Sequence, residues 1–267
     1  FGQELFHNWT NCRYKRWGMG LGMRLKDKIA LVVGSSSGLG LSIARAYKQE
    51  GAKVIITYLS KKEEAMSIFK TEDFLDVFNL DVRCRSSLKK CYSEIELRYG
   101  RIDILINNAG INRTADFVDQ TDKEWDEVIE TNLTGIFRNC QEALSLISDG
   151  GKIVNIGSLS GEYGGPRTPS YAAAKMGIMA LTHNLARFVA NRNISVNCLS
   201  PGVIASDFTE ETMSEDVKKT ALKMMLMKRF AKYDEMVGAA IFLASDDASY
   251  CTAQTISING GAHVKMR

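Results

Sequence analysis

The globular part of this chain opens with a strand, a glycine-rich turn, a helix and a second strand. Residues Lys28–Val33 are apolar and β-branched, as expected of a buried parallel strand, and they lead into Gly34-Ser35-Ser36-Ser37-Gly38-Leu39-Gly40. Glycines in such a turn let the backbone approach a pyrophosphate, which the amides of a helix N-terminus then hold. The spacing Gly-x-x-x-Gly-x-Gly also fits an ordinary turn, but the strand–helix–strand context favours a dinucleotide site.

The rest of the chain alternates between strand and helix patterns. The predicted strands are Ile29–Val33, Val54–Thr57, Leu75–Asn79, Ile104–Asn107, Ile153–Ile156, Ser195–Leu199 and Thr255–Ile258. The predicted helices cover about 39–50, 61–70, 85–99, 122–147, 170–190 and 234–244. This alternation predicts an α/β fold, a single doubly wound parallel sheet of Rossmann type with helices on both faces. We expect one domain over residues 23–267, preceded by an N-terminal extension, residues 1–22, of unknown role.

Charge, cysteines and hydropathy exclude several classes of function. The net charge is only +3, and outside residues 1–22 the basic groups exceed the acidic ones by one, which argues against a nucleic-acid partner. Six scattered cysteines without a Cys-x-x-Cys spacing predict free thiols and no metal site. There is no apolar run of membrane-spanning length, and residues 1–22 lack the apolar core of a signal peptide, so we expect no membrane partner and a cytoplasmic location.

A tyrosine and a lysine stand one helical turn apart in Tyr171-Ala172-Ala173-Ala174-Lys175, and Ser158 lies thirteen residues before the tyrosine. The three alanines favour a helix, which puts the phenol and the ammonium on one face. A cation beside a phenol lowers the pKa of the phenol and makes it usable as a proton donor near neutral pH. Taken alone, such a pair is more often a surface ion pair, so the other motifs of the chain decide its meaning.

These motifs resemble, in order and spacing, those of the short-chain dehydrogenase/reductase family. The matching residues are Gly34, Gly38, Gly40, Asn107, Asn108, Ala109, Gly110, Asn132, Ser158, Tyr171, Lys175, Pro201 and Gly202. The likeness covers about residues 23–264, nearly the whole chain. Within the family, several segments look most like bacterial 3-oxoacyl-[acyl-carrier-protein] reductases, and sugar, polyol and steroid dehydrogenases share many of them.

The resemblance implies a role for each of four candidate catalytic residues. Ser158 would hydrogen-bond the substrate carbonyl, Tyr171 would protonate it as general acid, and Lys175 would lower the pKa of the tyrosine and bind the nicotinamide ribose. Asn132 would hold a water that joins Lys175 to solvent. Simpler roles remain open for two of them, since Ser158 could cap a helix and Asn132 could bond local backbone.

The resemblance also implies a nicotinamide cofactor held by loops that follow the strands. The cofactor-binding candidates are Gly34, Ser36, Ser37, Gly38, Leu39, Gly40, Tyr58, Ser60, Asp81, Val82, Asn108, Ala109, Gly110, Tyr171, Lys175, Pro201, Gly202 and Ile204. A solvated loop aspartate is the alternative for Asp81. The second strand ends without an acid before Glu63, whereas Ser60 and two lysines follow it, which favours NADP over NAD. Ser37 departs from this pattern, because many NADP-using relatives have a basic residue there.

For the substrate, the sequence favours one class of compound and leaves alternatives open. The favoured function is NADP(H)-dependent reduction of a 3-oxoacyl thioester linked to acyl carrier protein, in a homotetramer as is common in the family. Methionines within residues 203–230 suit a mobile lid over an acyl chain, although two ordinary amphipathic helices would explain them equally. For an acidic carrier, Arg192 matches one basic position, whereas Asp149 replaces another. The alternatives are an NAD(P)-dependent dehydrogenase of a sugar, polyol or small alcohol, and a non-catalytic binding or regulatory member of the family.

Overall fold

The computed structural model describes residues 23–262, so the predicted extension at residues 1–22 lies outside the described residues. Seven strands form one parallel sheet in the order β3-β2-β1-β4-β5-β6-β7. The strands are β1 Ile29–Val33, β2 Lys53–Tyr58, β3 Asp76–Asn79, β4 Ile102–Asn107, β5 Ile147–Ile156, β6 Ser195–Pro201 and β7 Thr255–Ile258. The predicted α/β fold with a doubly wound parallel sheet is therefore confirmed.

Helices cover both faces of the sheet. They are α1 Gly38–Gln49, α2 Lys62–Glu72, α3 Arg85–Tyr99, α4 Asp122–Ile129, α5 Gly135–Ala143, α6 Leu159–Tyr163, α7 Pro169–Phe188, α8 Asp207–Thr212, α9 Glu215–Met224 and α10 Asp234–Ala244. A π-helical turn, Glu130–Thr134, joins α4 to α5. No helix in residues 23–262 is long and apolar enough to cross a membrane.

Alternating side chains of each strand feed two separate cores. In β1, Leu31 packs with helices α3, α5 and α7 on one face, whereas Val32 packs with α1 and α10 on the other. All five residues of β1 are buried, because a strand covered on both faces has no solvent side. The site must therefore be built where the strands end, since no side chain along the middle of β1 reaches water.

The predicted helix over residues 122–147 was wrong at its C-terminal end, after Ala143. Helix α5 ends at Ala143, and the chain then enters β5 at Ile147, well before the predicted strand start at Ile153. The amide of Ile102 donates to the carbonyl of Leu146 at 2.8 Å. Leu146 and Ile147 both join the core under α3 and α5. Apolar residues in this segment continue the helical spacing, but pairing with β4 outweighs that local preference.

A chain of buried amides fixes the centre of the sheet beneath the site. Asn107 at the end of β4 donates to Asn155 of β5 at 2.8 Å and accepts from Asn139 of α5 at 2.6 Å. Asn155 in turn donates to the hydroxyl of Thr182 on α7 at 2.9 Å. Because all of these groups are buried and paired, they set the distance between β4, β5 and the helices α5 and α7, of which α7 carries Tyr171 and Lys175.

Candidate active site

The candidate residues meet at the carboxyl edge of the sheet. Gly34 follows β1, Asn108 follows β4, Ser158 follows β5 and Pro201 ends β6. Parallel strands end on the same edge, which is where ligands bind in open α/β sheets. The structure thus brings together residues that lie up to 167 positions apart in the chain.

Three candidate catalytic side chains come from two helices that start beside β5. Ser158 is the N-cap of α6, where its hydroxyl oxygen accepts from the amide of Ser160 at 3.1 Å. Tyr171 lies in the first turn of α7, and its phenol forms a hydrogen bond with Ser158. Lys175 follows one turn later, with its ammonium 5.6 Å from the centroid of the tyrosine ring. Ser158 therefore caps a helix and contacts the phenol at the same time. Its predicted hydrogen bond to a substrate carbonyl stays a prediction.

Close packing of α6 on α7 holds this group together. A Cβ on Gly161 of α6 would come within 2.8 Å of the amide nitrogen of Met176 and 2.9 Å of the carbonyl carbon of Lys175. Both atoms belong to the backbone and cannot move aside alone. Gly161 thus lets the two helices touch, which keeps Ser158 within reach of α7.

Burial acts on the two titratable groups in opposite senses. Burial lowers the pKa of Lys175 to about 8, because the ammonium is removed from water. The ammonium donates one hydrogen bond to the carbonyl of Ile156 at 2.7 Å, which favours the charged form but does not offset the burial. Burial raises the pKa of Tyr171, and the hydrogen bond with Ser158 opposes this rise. The sequence led us to expect that Lys175 lowers the pKa of the tyrosine, whereas in the structure burial outweighs it. The hydrogen bond with Ser158 favours the phenolate, and stabilisation of the phenolate by the nearby ammonium of Lys175 stays a prediction.

Asn132 lies in the π-helical turn between α4 and α5 and is fully buried. Its amide accepts from the backbone N–H of Ile111 at 2.8 Å and donates to the carbonyl of Ile111 at 2.7 Å. A Cβ on Gly110 would lie 3.3 Å from the amide oxygen of Asn132 and 3.7 Å from the ammonium of Lys175. The π turn therefore aims Asn132 at the loop after β4, next to Lys175, as π turns often do at functional sites.

The glycine turn after β1 has the shape of a phosphate cradle. A Cβ on Gly34 would lie 2.7 Å from the Cα of Ala109, and a Cβ on Gly40 would collide with the carbonyl oxygen of Gly34. The side-chain amide of Asn108 donates to the carbonyl oxygen of Gly34 at 2.6 Å, so a hydrogen bond joins the loops after β1 and β4. Ser37 is the N-cap of α1, but its side chain makes no capping hydrogen bond. The first amides of α1 are thus left for an anion, and the turn fits a dinucleotide.

The far end of the cleft is formed by the loops after β2 and β3. Tyr58 ends β2, and Ser60 is exposed beyond it. Asp81 is ion-paired with Arg83 through contacts of 2.9 Å, which keep the pKa of the carboxyl below its ordinary value. Val82 is buried against Gly135 at the start of α5. The carboxylate of Asp81 is therefore partly neutralised and not simply solvated.

The loop after β6 closes the other side. Gly202 packs on Asn259, since a Cβ there would lie 2.7 Å from the Cα of that residue. Ile204 forms a bridge with Ala231, which ties this loop to the segment before α10. Ser36 and Leu39 lie in the glycine turn itself. The candidate cofactor residues in the loops after the strands therefore lie along one edge of the sheet, which runs from β3 across β2, β1 and β4 to β6, and Tyr171 and Lys175 reach it from α7.

Three contacts of the site were not found from the sequence. The ring of Phe208 on α8 lies 6.4 Å from the ring of Tyr171. Glu162 of α6 accepts from the hydroxyls of Ser200 and Ser257, each at 2.6 Å. Tyr233 reaches the glycine turn at Gly38. No local pattern signals such contacts, because each depends on how distant elements pack.

Arg192 lies at the opposite edge of the sheet from the catalytic candidates. It precedes β6, whose first residue Ser195 pairs with Lys152. Four residues of strand, about 13 Å at 3.3 Å per residue, separate Lys152 from Ile156. The guanidinium binds the carboxylate of Asp149 at 2.8 Å and backbone carbonyls between α5 and β5. Within one chain, Arg192 is therefore a structural tie at the amino edge and does not border the cleft.

Comparison with known proteins agrees with this geometry. A family model described as enoyl-(acyl carrier protein) reductase matches residues 33–263. The 3-oxoacyl-[acyl-carrier-protein] reductase FabG of Thermotoga maritima is 40% identical over 245 residues, which cover 90% of this chain and 99% of that protein. The enzyme of the same name from Escherichia coli K12 is 37% identical, covering 91% of this chain and 100% of that protein.

Solved structures add a second group of similar proteins. A gluconate 5-dehydrogenase from Burkholderia cenocepacia, in complex with NADP and tartrate, superposes with a TM-score of 0.84 at 32% identity, covering 90% of this chain and 96% of that one. A putative gluconate dehydrogenase from Agrobacterium tumefaciens gives a TM-score of 0.85 at 30% identity, covering 92% of this chain and 100% of that one. The chain is thus similar in sequence to reductases of acyl-carrier-protein substrates and shares its fold with dehydrogenases named for gluconate.

Proposed function

Because this chain belongs to the short-chain dehydrogenase/reductase family and is an NAD(P)-dependent oxidoreductase, we propose that it reduces a 3-oxoacyl thioester, linked to acyl carrier protein, to the 3-hydroxyacyl form. The observation that carries this proposal is the end-to-end likeness to 3-oxoacyl-[acyl-carrier-protein] reductases at 36–40% identity. The grouping of Ser158, Tyr171 and Lys175 at one strand end supplies the chemistry that such a reduction needs.

The side chains divide the work around the substrate carbonyl. Bound nicotinamide supplies the hydride for reduction of the carbonyl carbon. Ser158, whose oxygen already accepts from Ser160, keeps its hydroxyl proton and uses it to donate a hydrogen bond to the carbonyl oxygen. Tyr171 then gives its phenolic proton to that oxygen as general acid. Lys175 lies one helical turn away, and its ammonium stabilises the phenolate that remains.

Asn132 and the glycine turn support this chemistry. Asn132 fixes the loop after β4 beside Lys175 through both of its hydrogen bonds to Ile111. The uncapped first turn of α1 and the close approach of Gly34 to Ala109 suit the diphosphate of the cofactor. Residues 203–230 act as a lid over the substrate, and the position of Phe208 beside Tyr171 supports this role for α8.

NADP is the proposed cofactor rather than NAD. The end of β2 presents Tyr58, Ser60 and two exposed lysines, whereas Asp81 beyond β3 is engaged by Arg83. Hydroxyl and ammonium groups donate hydrogen bonds to a 2′-phosphate, which an acid at the end of β2 would repel. The NADP in the similar gluconate 5-dehydrogenase structure supports the same choice. The cytoplasmic location and the homotetramer stay predictions, and the mass in solution would test the latter.

A second candidate is oxidation of a sugar acid, a polyol or another small alcohol. The similarity to gluconate dehydrogenase structures favours it, as does the position of Arg192 away from the cleft of its own chain. A carrier-linked substrate calls for basic groups beside the cleft, and Arg192 does not supply one there.

The deciding experiment measures NADPH oxidation with acetoacetyl thioesters of coenzyme A and of acyl carrier protein. NADH and a panel of sugars, sugar acids and polyols are run in parallel. We expect turnover of the thioesters with NADPH. Oxidation of gluconate or a polyol without thioester reduction would reject the first proposal in favour of the second candidate.

Tyr171→Phe tests the catalytic assignment in the same assay. Loss of a general acid should lower kcat by about 10²- to 10⁴-fold while NADPH binding is retained. The matched control is Tyr250→Phe, because Tyr250 is fully exposed and precedes β7, at the amino edge of the sheet. Normal turnover by the Tyr171 variant would remove the tyrosine from the mechanism.

A further inference from the structure

Tyr233 places its side chain against the glycine turn from the opposite wall of the cofactor cleft. It is the residue just before helix α10, far from the turn in sequence. A Cβ on Gly38 would lie 3.3 Å from the hydroxyl oxygen of Tyr233 and 3.7 Å from the ring carbon that carries it. Gly38 is the first residue of α1, so the phenol stands beside the N-terminus of that helix.

The backbone that carries Tyr233 is fixed on both sides. The carboxylate of Glu235 binds the guanidinium of Arg229 through contacts of 2.7 and 2.6 Å and accepts from the amide of Lys232 at 2.8 Å. Ala231 donates to the carbonyl of Val203 at 3.0 Å and accepts from the amide of Ala205 at 2.9 Å. The segment is thereby tied to the loop that follows Pro201 and Gly202. Tyr233 bridges this loop and the glycine turn.

The hydroxyl of Tyr233 has a hydrogen atom to give. None of the side chains and backbone groups that the structure describes forms a hydrogen bond with it, and the side chain is only half-buried. The neighbouring N-cap, Ser37, does not use its own hydroxyl to cap α1. A phenol donor thus lies next to uncapped helix amides, and both kinds of donor attract a phosphate.

We propose that Tyr233 is a cofactor-binding residue whose hydroxyl donates a hydrogen bond to the diphosphate of the nicotinamide dinucleotide. The proposal rests on the NAD(P) dependence of the chain and not on the identity of its substrate. It assigns to Tyr233 the diphosphate, which is common to NADP and NAD, and not the 2′-phosphate, which only NADP carries. It also makes the start of α10 part of the cofactor site.

The test measures the dissociation constants of NADPH and NADH by calorimetry for the wild type and for Tyr233→Phe. This variant removes only the hydroxyl and leaves the ring against Gly38. One hydrogen bond to a charged phosphate oxygen corresponds to a loss of about ten- to a hundredfold in affinity. We expect a similar loss for NADPH and NADH, with the ratio of the two constants unchanged. Tyr250→Phe is the matched control and should bind as the wild type does.

Each other outcome overturns the proposal in a recognisable way. A loss confined to NADPH would place Tyr233 at the 2′-phosphate. Unchanged binding of both nucleotides would make the tyrosine a packing residue only. The melting temperature without nucleotide should be equal in the variant and the wild type, and a lower value would assign the effect to folding. If the wild type bound neither nucleotide, the cofactor assignment would fail with the proposal, whatever the substrate assay shows.

Discussion

At the scale of single residues, Lys175 is the side chain in which function and stability oppose each other. It is buried, and its ammonium has one hydrogen-bond partner in the described part of the chain, the carbonyl of Ile156. Burial lowers its pKa to about 8 from an ordinary 10.5, so the folded protein holds the proton less tightly than the unfolded chain does. The cost of burying the charge is therefore fully present below pH 8 and fades as the pH rises towards 10.5.

Lys175→Met should stabilise the protein while abolishing catalysis. The shift from 10.5 to about 8 corresponds to an upper limit of about 3 kcal/mol at pH 7, from 1.36 kcal/mol per pH unit, less the lost hydrogen bond to Ile156. Urea unfolding at pH 7 and at pH 10 measures the difference from the wild type. We expect the gain at pH 7 to shrink at pH 10. A gain that is equal at both values would show that the charge is not its source.

At the scale of elements, the short helix α6 and the catalytic helix α7 form the unit on which the site depends. Their contact relies on Gly161, which has no side chain to separate the two backbones. Ser158 starts one helix and Tyr171 lies near the start of the other, so a small shift between the helices changes the distance between the two hydroxyls. In enzymes, a shift of a catalytic group by about 1 Å can lower the reaction rate about a hundredfold.

Gly161→Ala should lower kcat at least tenfold and reduce the free energy of unfolding by about 1–3 kcal/mol, because the new methyl group overlaps backbone atoms of α7. The matched substitution is Gly238→Ala in α10, where nothing lies within 4 Å of the added carbon. That change should stabilise by about 0.5–1 kcal/mol through helix propensity and leave kcat unchanged. Urea unfolding and steady-state kinetics check both. Equal behaviour of the two variants would contradict the packing argument.

The elements also show where local patterns suffice. Strands β1 and β7 and helices α3 and α10 begin and end as predicted, because apolar runs and helical periodicity persist there without competition. The region after Ala143 has the same kind of apolar spacing, yet it pairs with β4. The π turn around Asn132 has no sequence signature either. It places the side-chain amide of Asn132 on Ile111, 21 positions away in the chain, and a contact over that distance leaves no local pattern.

At the scale of the whole molecule, the proposed cofactor site lies along the carboxyl edge of the sheet, between the two hydrophobic cores that cover its faces. The loops after β1 and β2 follow strands that pack under α1, whereas the loops after β5 and β6 follow strands that pack under α7. A dinucleotide that spans this edge therefore contacts most of the sheet. Binding to the folded form alone stabilises the whole domain by mass action.

Saturating NADPH should raise the melting temperature more than NADH does. At one hundred times the dissociation constant, the gain is about 2.7 kcal/mol, which for a domain of this size corresponds to about 5–10 °C. Thermal unfolding with each nucleotide at equal concentration measures the order of preference. A larger shift with NADH would overturn the choice of NADP. No shift with either nucleotide would contradict the assignment of a nicotinamide cofactor.

The sequence by itself determined the alternating elements, the glycine turn and the spacing of Tyr171 and Lys175, because these features depend on neighbours a few positions apart. It did not determine that Ser158 hydrogen-bonds the phenol of Tyr171, that Arg192 faces the amino edge, or that Tyr233 reaches Gly38. Those facts depend on burial and on contacts between distant segments. Only the packing of helices on the sheet fixes such contacts, since no local preference specifies them.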